Sequence, residues 1–345
     1  MPRKSTSKAK TKAKSKAKET PEQKRPRSRA KSKKPVFIRL ISLALLLFVT
    51  SAYLADTDGF YAITIWPAFV WSGIGLALLL PGLRRRRSGS FWTLILGWVL
   101  FWLAFGEDAA RWAHLGDKPG PNDLLVTSMN CAGGMVEAAK EAMEDKPALL
   151  LLQESPSKPE LEKLTAQVYG STGNVLWGPD GSIIANGQIS PVSLPRGTHN
   201  FTAARVTLKG QSPIFVVSLR LQPPVFSLEY WSASTWQQYA KNRENRRQEL
   251  TEIAAWIRNQ NPGSRIIVGG DFNSPPDPGT FKPFHAWLQP ASRFSGYTAV
   301  NDFPMARIDQ IWVSGFEATN AEAYKTQNSD HRLVRCWLKP TSPAK

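Results

Sequence analysis

Three apolar stretches open the readable part of the chain, and a finer alternation of short apolar runs and polar clusters follows them. Residues 36–54 carry one charge, Arg39, placed where its stem can carry the guanidinium out to the headgroups. Residues 60–80 carry none. Residues 91–105 are as apolar, and reach a span-like length when 88–90 and Gly106 are counted with them. A helix needs about 20 apolar residues to cross the hydrocarbon of a bilayer. The pattern therefore predicts three transmembrane helices at 36–55, 60–80 and 88–106. Trp66, Trp71, Trp92, Trp98 and Trp102 fall within these stretches and Trp112 follows; several suit the interface.

The periodicity changes after Gly106. Residues 107–122 hold Gly116, Pro119, Gly120 and Pro121 and read as a linker. From Asp123 to about residue 340 the pattern is that of one α/β domain. Residues 124–129, 148–152, 213–221, 265–268, 311–313 and 333–338 are short apolar runs of the buried-strand kind. Residues 136–144 and 238–259 read as helices. Many strands with few helices predict sheet packed on sheet, with helices outside. Arg243, Arg246, Arg247 and Gln248 on the second helix read as a solvated face, with a phosphate backbone as the alternative partner. The aromatics before it, Phe226, Tyr230, Trp231 and Trp236, read as core, the alternative being a loop facing substrate or membrane.

Charge alters this picture in one place. The formal net charge is +17, yet residues 1–35 hold 15 Lys or Arg against two acids, and 120–345 hold 22 basic groups against 20 acidic ones. The excess belongs to a low-complexity tail, expected to be disordered, and not to a basic catalytic surface. Such a tail suits a cytoplasmic orientation signal, or an arm for anionic lipid or nucleic acid. Arg84–Arg87 lie between the second and third stretches, and the short link 55–59 has two Asp and no Lys or Arg. The positive-inside rule then puts the tail and the four arginines in the cytoplasm and everything after Gly106 outside it. A signal peptide cut near Ala55 is the competing reading of the first stretch. The two cysteines, Cys131 and Cys336, show no zinc-like spacing and read as buried thiols.

The chemistry sits at the ends of the apolar runs. Asn130, then Gln153 and Glu154, then Asp271 and Asn273 follow three of them; Asp309, then Asp330 and His331, precede two others. One carboxylate at a strand end is ordinarily a turn or cap residue; five such placements in one domain suggest a shared cleft. Hard divalent cations take a few carboxylate oxygens and keep several waters, and Glu154, Asp271, Asp309 and Asp330 can supply them. His331, Asn130 and Asn273 are suitable donors to a charged phosphoryl group.

These clusters resemble the ordered motifs of the endonuclease/exonuclease/phosphatase superfamily. Gly270-Asp271-Phe272-Asn273-Ser274-Pro275 resembles its GDFN motif, Ser128-Met129-Asn130 its opening strand, and Leu151-Leu152-Gln153-Glu154 its QE motif. Arg307-Ile308-Asp309-Gln310-Ile311 resembles the (R)IDYI motif and Ser329-Asp330-His331 the closing SDH motif. The resemblance implies a four-layered α/β sandwich of the DNase I-like kind and a phosphoester hydrolase using Mg²⁺ or Mn²⁺. It implies Glu154 as principal metal ligand, Asn130 near metal and phosphate, and Asp330 assisting a metal position. Asp271 would orient or deprotonate water, Asn273 would bind the scissile phosphate, and His331, its ring held by a carboxylate with Asp309 the candidate, would contact a phosphate oxygen.

Two departures stand out. Where many members carry a His in an NTHL-like strand, this chain has Val216-Val217-Ser218-Leu219-Arg220-Leu221. Arg220 stays protonated and cannot serve as a general acid, though it can hold a phosphate or leaving group by charge. Gln310 replaces the Tyr of the fourth motif. The expectation is a multi-pass membrane protein whose extracytoplasmic domain cleaves a phosphodiester of nucleic acid or of a lipid headgroup. A binding module of the same fold, weakened through Arg220, is the competing reading.

Overall fold

The computed structural model describes residues 34–81, 89–114, 116–263 and 265–341. The basic tail, apart from the residues that open the first helix, and the arginines at 84–87 lie outside the described residues. The first apolar stretch forms α1 (Lys34–Ala55). The second does not form one helix: a 3₁₀ turn (Asp58–Phe60) and α2 (Tyr61–Thr64) are bent by 66° from α3 (Ala68–Leu79). Pro67 caps α3 at this break, because it has no N–H to donate backwards and its ring pushes Trp66 out of the helical region. The third stretch is α4 (Gly89–Phe105), of 17 residues. The expectation of three spans is thereby corrected. Among the described residues one helix, Val36–Ala55, is long and apolar enough to cross a membrane, with a second only if the bent pair counts as one.

The first arm of the bent segment packs on protein, while α3 keeps apolar side chains such as Ile74 exposed. Tyr61, Ala62 and Ile63 are buried, two of them in a cluster with Tyr239 of the second domain. The helices pack through Val49, Ala52, Leu79, Phe91, Leu94, Trp98 and Phe101. Trp98 lies on Gly75, where a Cβ would collide with the indole, and its Nε1 donates to Ser42 Oγ at 3.0 Å. Small residues and shared hydroxyls are how apolar helices approach closely where no hydrophobic contrast drives them together.

A short α5 (Asp108–Ala113) lies in the expected linker. The second domain then runs β1 (Leu124–Asn130), α6 (Val136–Met143), β2 (Leu149–Gln153), α7 (Lys158–Tyr169), β3 (Gly173–Leu176), β4 (Ser182–Pro191), β5 (Phe201–Leu208) and β6 (Ile214–Arg220). It continues with α8 (Ala233–Asn259), β7 (Ile266–Asp271), α9 (Pro278–His285), β8 (Gln289–Pro290), β9 (Asp309–Ser314), β10 (Phe316–Tyr324) and β11 (Leu333–Pro340). The strands form one curled mixed sheet, ordered β10-β11-β1-β2-β4-β5-β6-β7-β9-β8, with β3 paired to β4. β1 and β2 are parallel, as are β6 and β7, and the other neighbours are antiparallel. β4 belongs to both halves: Ser182–Ala185 pair with β2, and Gly187–Pro191 pair with β5.

One apolar cluster is shared by both halves: Val126, Leu149, Leu151 and Val334 meet Val216, Ile267, Ile311 and Val313. A second cluster joins β5–β7 to α8 and α9, and a third joins β1 and β2 to α6 and α7. Cys131 and Cys336 are free and buried, and burial pushes both thiols above their ordinary pKa.

The expectation of a solvated face fails for Arg243 and Arg246, whereas Arg247 is half-buried and Gln248 is exposed as expected. Arg243 and Arg246 are fully buried. Arg243 pairs with Asp56 and Asp277, and its Nη1 lies 3.5 Å from Asp58. Arg247 pairs with both oxygens of Asp58 at 2.7 Å. Asp56 and Asp58 come from the turn between α1 and α2, so α8 is the floor on which the helical segment sits. The four aromatics at 226–236, of which Trp236 lies in the first turn of α8, divide. Tyr230 and Trp236 pack into this junction, whereas Phe226 and Trp231 are 72% and 84% exposed, against the expectation of core.

Candidate active site

The parallel and antiparallel registers bring the strand ends together. Asn130 and Gln153 pair at the ends of β1 and β2; Arg220 and Asp271 pair at the ends of β6 and β7; Asp271 faces Asp309 at the start of β9. Gly270 makes the second of these, between β6 and β7, possible. Its φ is +149°, and a Cβ there would collide with the Leu219 carbonyl, so only glycine lets β7 run this close to β6. The residues that follow leave the strands in the left-handed region, with φ +45° at Glu154 and +50° at Asn273. Strain of this kind at non-glycine residues is kept where the surroundings enforce it, and it concentrates at functional sites.

Two hydrogen-bonded groups bring most of the predicted residues side by side. Asn130 Nδ2 donates to Glu154 Oε1 at 3.3 Å and to Asp271 Oδ2 at 3.1 Å. Asp271 Oδ1 accepts the Asn273 N–H at 2.9 Å. His331 Nδ1 lies 2.9 and 3.1 Å from the oxygens of Asp309. Asp271, Asp309 and His331 offer ligand atoms within 4.8 Å of one another. Asn273 directs its side-chain amide to the Leu221 carbonyl at 2.8 Å. Asp330 stands apart: its side chain is exposed, and its backbone carbonyl accepts the Asn301 N–H.

Burial sets the charges. Asp271 is removed from water and faces Asp309, and these effects outweigh the attraction of His331 to raise its pKa to about 7. Burial alone would discharge His331. The Asp309 carboxylate reverses this, with help from Asp271 and Asp330, and the imidazole is pushed up to about 10. At neutral pH the ring is a cation held by Asp309.

Arg220 makes the contact that a motif could not foretell. Its Nη2 lies 2.7 Å from Glu154 Oε1 and its Nη1 3.5 Å from Asp180. Glu154 Oε2 accepts the Gly133 N–H at 2.6 Å. The chain's own cation thus sits on the carboxylate that the resemblance assigns to metal. Asp180 carries no motif and was not foreseen. Nor was Ser329, whose Oγ donates to the Asn130 carbonyl at 2.8 Å and accepts the His331 N–H at 3.0 Å; its signal was its place in the closing motif. Gln310 is buried and donates to the Ser274 carbonyl at 3.0 Å, tying the fourth motif to the third.

The sequence matches the Endonuclease/Exonuclease/phosphatase family over residues 127–331. The chain belongs to that family. Membership makes it a hydrolase of phosphoesters with a DNase I-like α/β fold. Solved structures with a similar backbone include the endonuclease/exonuclease/phosphatase from Bacteroides vulgatus, 13% identical, with a TM-score of 0.49, covering 64% of this chain and 99% of that one. Truncated Caenorhabditis elegans TDP2 is 15% identical at a TM-score of 0.44, covering 63% of this chain and 97% of that one. The human nocturnin catalytic domain is 17% identical at 0.45, covering 67% and 99%. No curated protein matches the sequence.

Within an endonuclease/exonuclease/phosphatase site, the donors fit a hard divalent cation. The buried Asp271 and Asp309 carboxylates share one small space with only His331 as counter-charge, and Glu154 and Asn130 bring further oxygens to its edge. Arg220 competes for Glu154. Arg220→Ala is therefore expected to tighten Mn²⁺ binding to the full chain by about fivefold, the scale of a partly exposed ion pair. Calorimetric titration checks this; unchanged or weaker binding would show that Arg220 does not contend with the ion.

Proposed function

We propose that the protein is a divalent-cation-dependent phosphodiesterase, anchored to a membrane by its helical segment and acting outside the cytoplasm. The supporting observation is the union of Asp271, Asp309 and His331, with Asn130 linking them to Glu154, in a chain of this family. The clusters on either side of the shared apolar core support the four-layered arrangement. The orientation rests on the basic tail and on Arg84–Arg87.

Glu154 and Asn130 would hold Mg²⁺ or Mn²⁺ beside Asp271, with Asp330 assisting only from the exposed rim. The bound ion would neutralise charge developing on the phosphoryl oxygens. The remaining work falls to the chain's own groups. Asp271, ionised, accepts hydrogen from a water and aims it at phosphorus. His331, kept protonated by Asp309, presents positive charge to a phosphoryl oxygen. Asn273 has one amide hydrogen committed to Leu221 and one left for phosphate. Arg220 stands at the edge, where it can meet the phosphate or the leaving oxygen by charge.

Nucleic acid and lipid headgroups both offer the diester. Phe226, Leu228 and Trp231 favour the second: they are exposed on the loop after β6, and Tyr230 in the same loop accepts a hydrogen bond from Trp66 of the helical segment. Aromatic residues beside apolar helices suit the membrane–water interface. The full chain in detergent, given Mn²⁺ or Mg²⁺, is to be assayed on single- and double-stranded DNA across a salt series and on sphingomyelin in vesicles. Turnover on either that is lost in Glu154→Ala supports the reading; turnover unaffected by that change would end it. Metal binding without hydrolysis of any diester would favour the binding module.

A further inference from the structure

The helical segment grips the second domain at two places, and both lie directly behind the active-site side chains. At the first, Tyr61 is fully buried with its Oη 3.1 Å from Ser274 Oγ. Arg246 Nη2 donates to the same Oη at 2.8 Å, and both Arg243 and Arg246 lie over the Tyr61 ring, at 5.1 and 5.4 Å from its centroid. Ser274 directly follows Asn273, and its hydroxyl also donates to Asp277, the residue that caps α9. Asp277 is in turn paired with Arg243, which reaches Asp56. The stretch from Asp271 to Asp277 is thus pinned from the helical side.

At the second grip, Glu107 accepts from two of the three guanidinium nitrogens of Arg307, Nη2 at 2.7 Å and Nε at 2.8 Å. Arg307 is 3% exposed and stands two residues ahead of Asp309. Next to Glu107, Asp108 accepts the Tyr297 hydroxyl at 3.1 Å. Tyr297 precedes Thr298, whose Oγ1 accepts the N–H groups of Ile308 and Asp309, each at 3.1 Å. Ala299 pairs with His331 across an isolated bridge. The second grip therefore bears on Asp309 and, through its neighbours, on His331.

Asp271 and Asp309 face each other across β7 and β9, so the two grips hold the two sides of one short distance. The side chains involved are not those of a loose tether. Three guanidiniums, Arg243, Arg246 and Arg307, are buried and each takes a partner from residues 56–61 or 107, Arg243 sharing its charge with Asp277 as well. Arg246 Nε and Nη1 find no hydrogen-bond acceptor among the described residues, and its Nη2 donates to Tyr61 Oη. Removing such partners leaves buried charge uncompensated, a cost that a mere anchor has no reason to incur.

We infer that the helical segment is a positioning element of the active site, with Tyr61 and Glu107 setting the separation of Asp271 from the Asp309–His331 pair. The inference rests on the hydrolase reading for its effect on turnover, and on geometry alone for its effect on the backbone. The phosphoryl centre tolerates little misplacement of base and cation, and small shifts transmitted from outside the site are costly.

The test uses the full chain in detergent, with Tyr61→Phe and Glu107→Gln as mild variants. Turnover of bis(p-nitrophenyl) phosphate with Mn²⁺, amide hydrogen exchange and thermal unfolding are followed together. Each variant is expected to lower kcat by about tenfold with little change in KM. Exchange is expected to quicken at 271–275 for the first and at 306–310 for the second, while β1 and β2 keep their protection. A lowered melting temperature with unchanged kcat and unchanged exchange in both segments would overturn the inference and leave a structural contact only. If the parent protein cleaves no diester, the hydrolase reading fails by itself, and the exchange data still decide whether the grips order the site.

Discussion

Asp271→Asn is expected to give a protein that is far slower and yet harder to unfold. The loss in kcat should be about 10²–10⁴-fold, the range for removing a positioned acid–base group. The gain in stability follows from the sign of the pKa shift. The folded protein holds Asp271 at about 7, above the ordinary carboxylate value of 3.8. A carboxyl whose folded pKa is raised binds its proton more tightly in the native state, so ionising it costs stability. That cost is absent below pH 3.8, grows as pH rises to about 7, and is complete above it. Asparagine keeps the shape and abolishes the charge, relieving the repulsion with Asp309. Thermal unfolding at pH 8 in the presence of EDTA should show a higher midpoint for the variant, by several degrees. A variant both slow and less stable would mean that Asp271 is chiefly structural.

Asp309→Asn should shift a pH profile rather than abolish activity. His331 owes its charge to this carboxylate, which overcomes the burial that would otherwise discharge the ring. In the parent protein the alkaline fall in kcat/KM is expected near pH 10. Without the Asp309 charge the ring returns towards its ordinary 6.5, or below it. At pH 8 about one ring in thirty would then be protonated, so activity should drop about thirtyfold and recover on acidification. Linkage gives a second readout. A histidine with a raised folded pKa adds stability that is fully present below 6.5 and is lost as pH rises through about 10. The parent should therefore lose stability over that window, and the variant should lose much less of it. An unchanged alkaline limb would show that another group carries the charge.

Most of the candidate-site residues were legible because they belong to motifs at the ends of apolar runs, and strand pairing brings most of those ends together. Asp271 and Asp309 are far apart in the chain and neighbours in the sheet. Asn130 and Gln153 meet for the same reason. What was not legible depends on partners rather than on residue type. Arg243, Arg246 and Arg247 have the spacing of a solvated face, and polar periodicity cannot tell water from a set of aspartates brought by another segment. Tyr61 and Glu107 carry no motif and touch residues about two hundred positions away. Residues 60–80 showed an unbroken apolar average, which hid the proline break and the burial of Tyr61 and Ala62 against α8. Phe226 and Trp231 were expected in the core because apolar aromatics usually are, and only the exposed loop reveals otherwise.

The shared strand β4 has a consequence for how the domain comes apart. Its first half is hydrogen-bonded to β2 and β3 and its second to β5, and no loop intervenes between them. Melting either half would strip hydrogen bonds from a strand that the other half also uses, so loss of the strand framework on one side of the cleft is expected to weaken the other side too, while loops such as 271–277 can still loosen on their own.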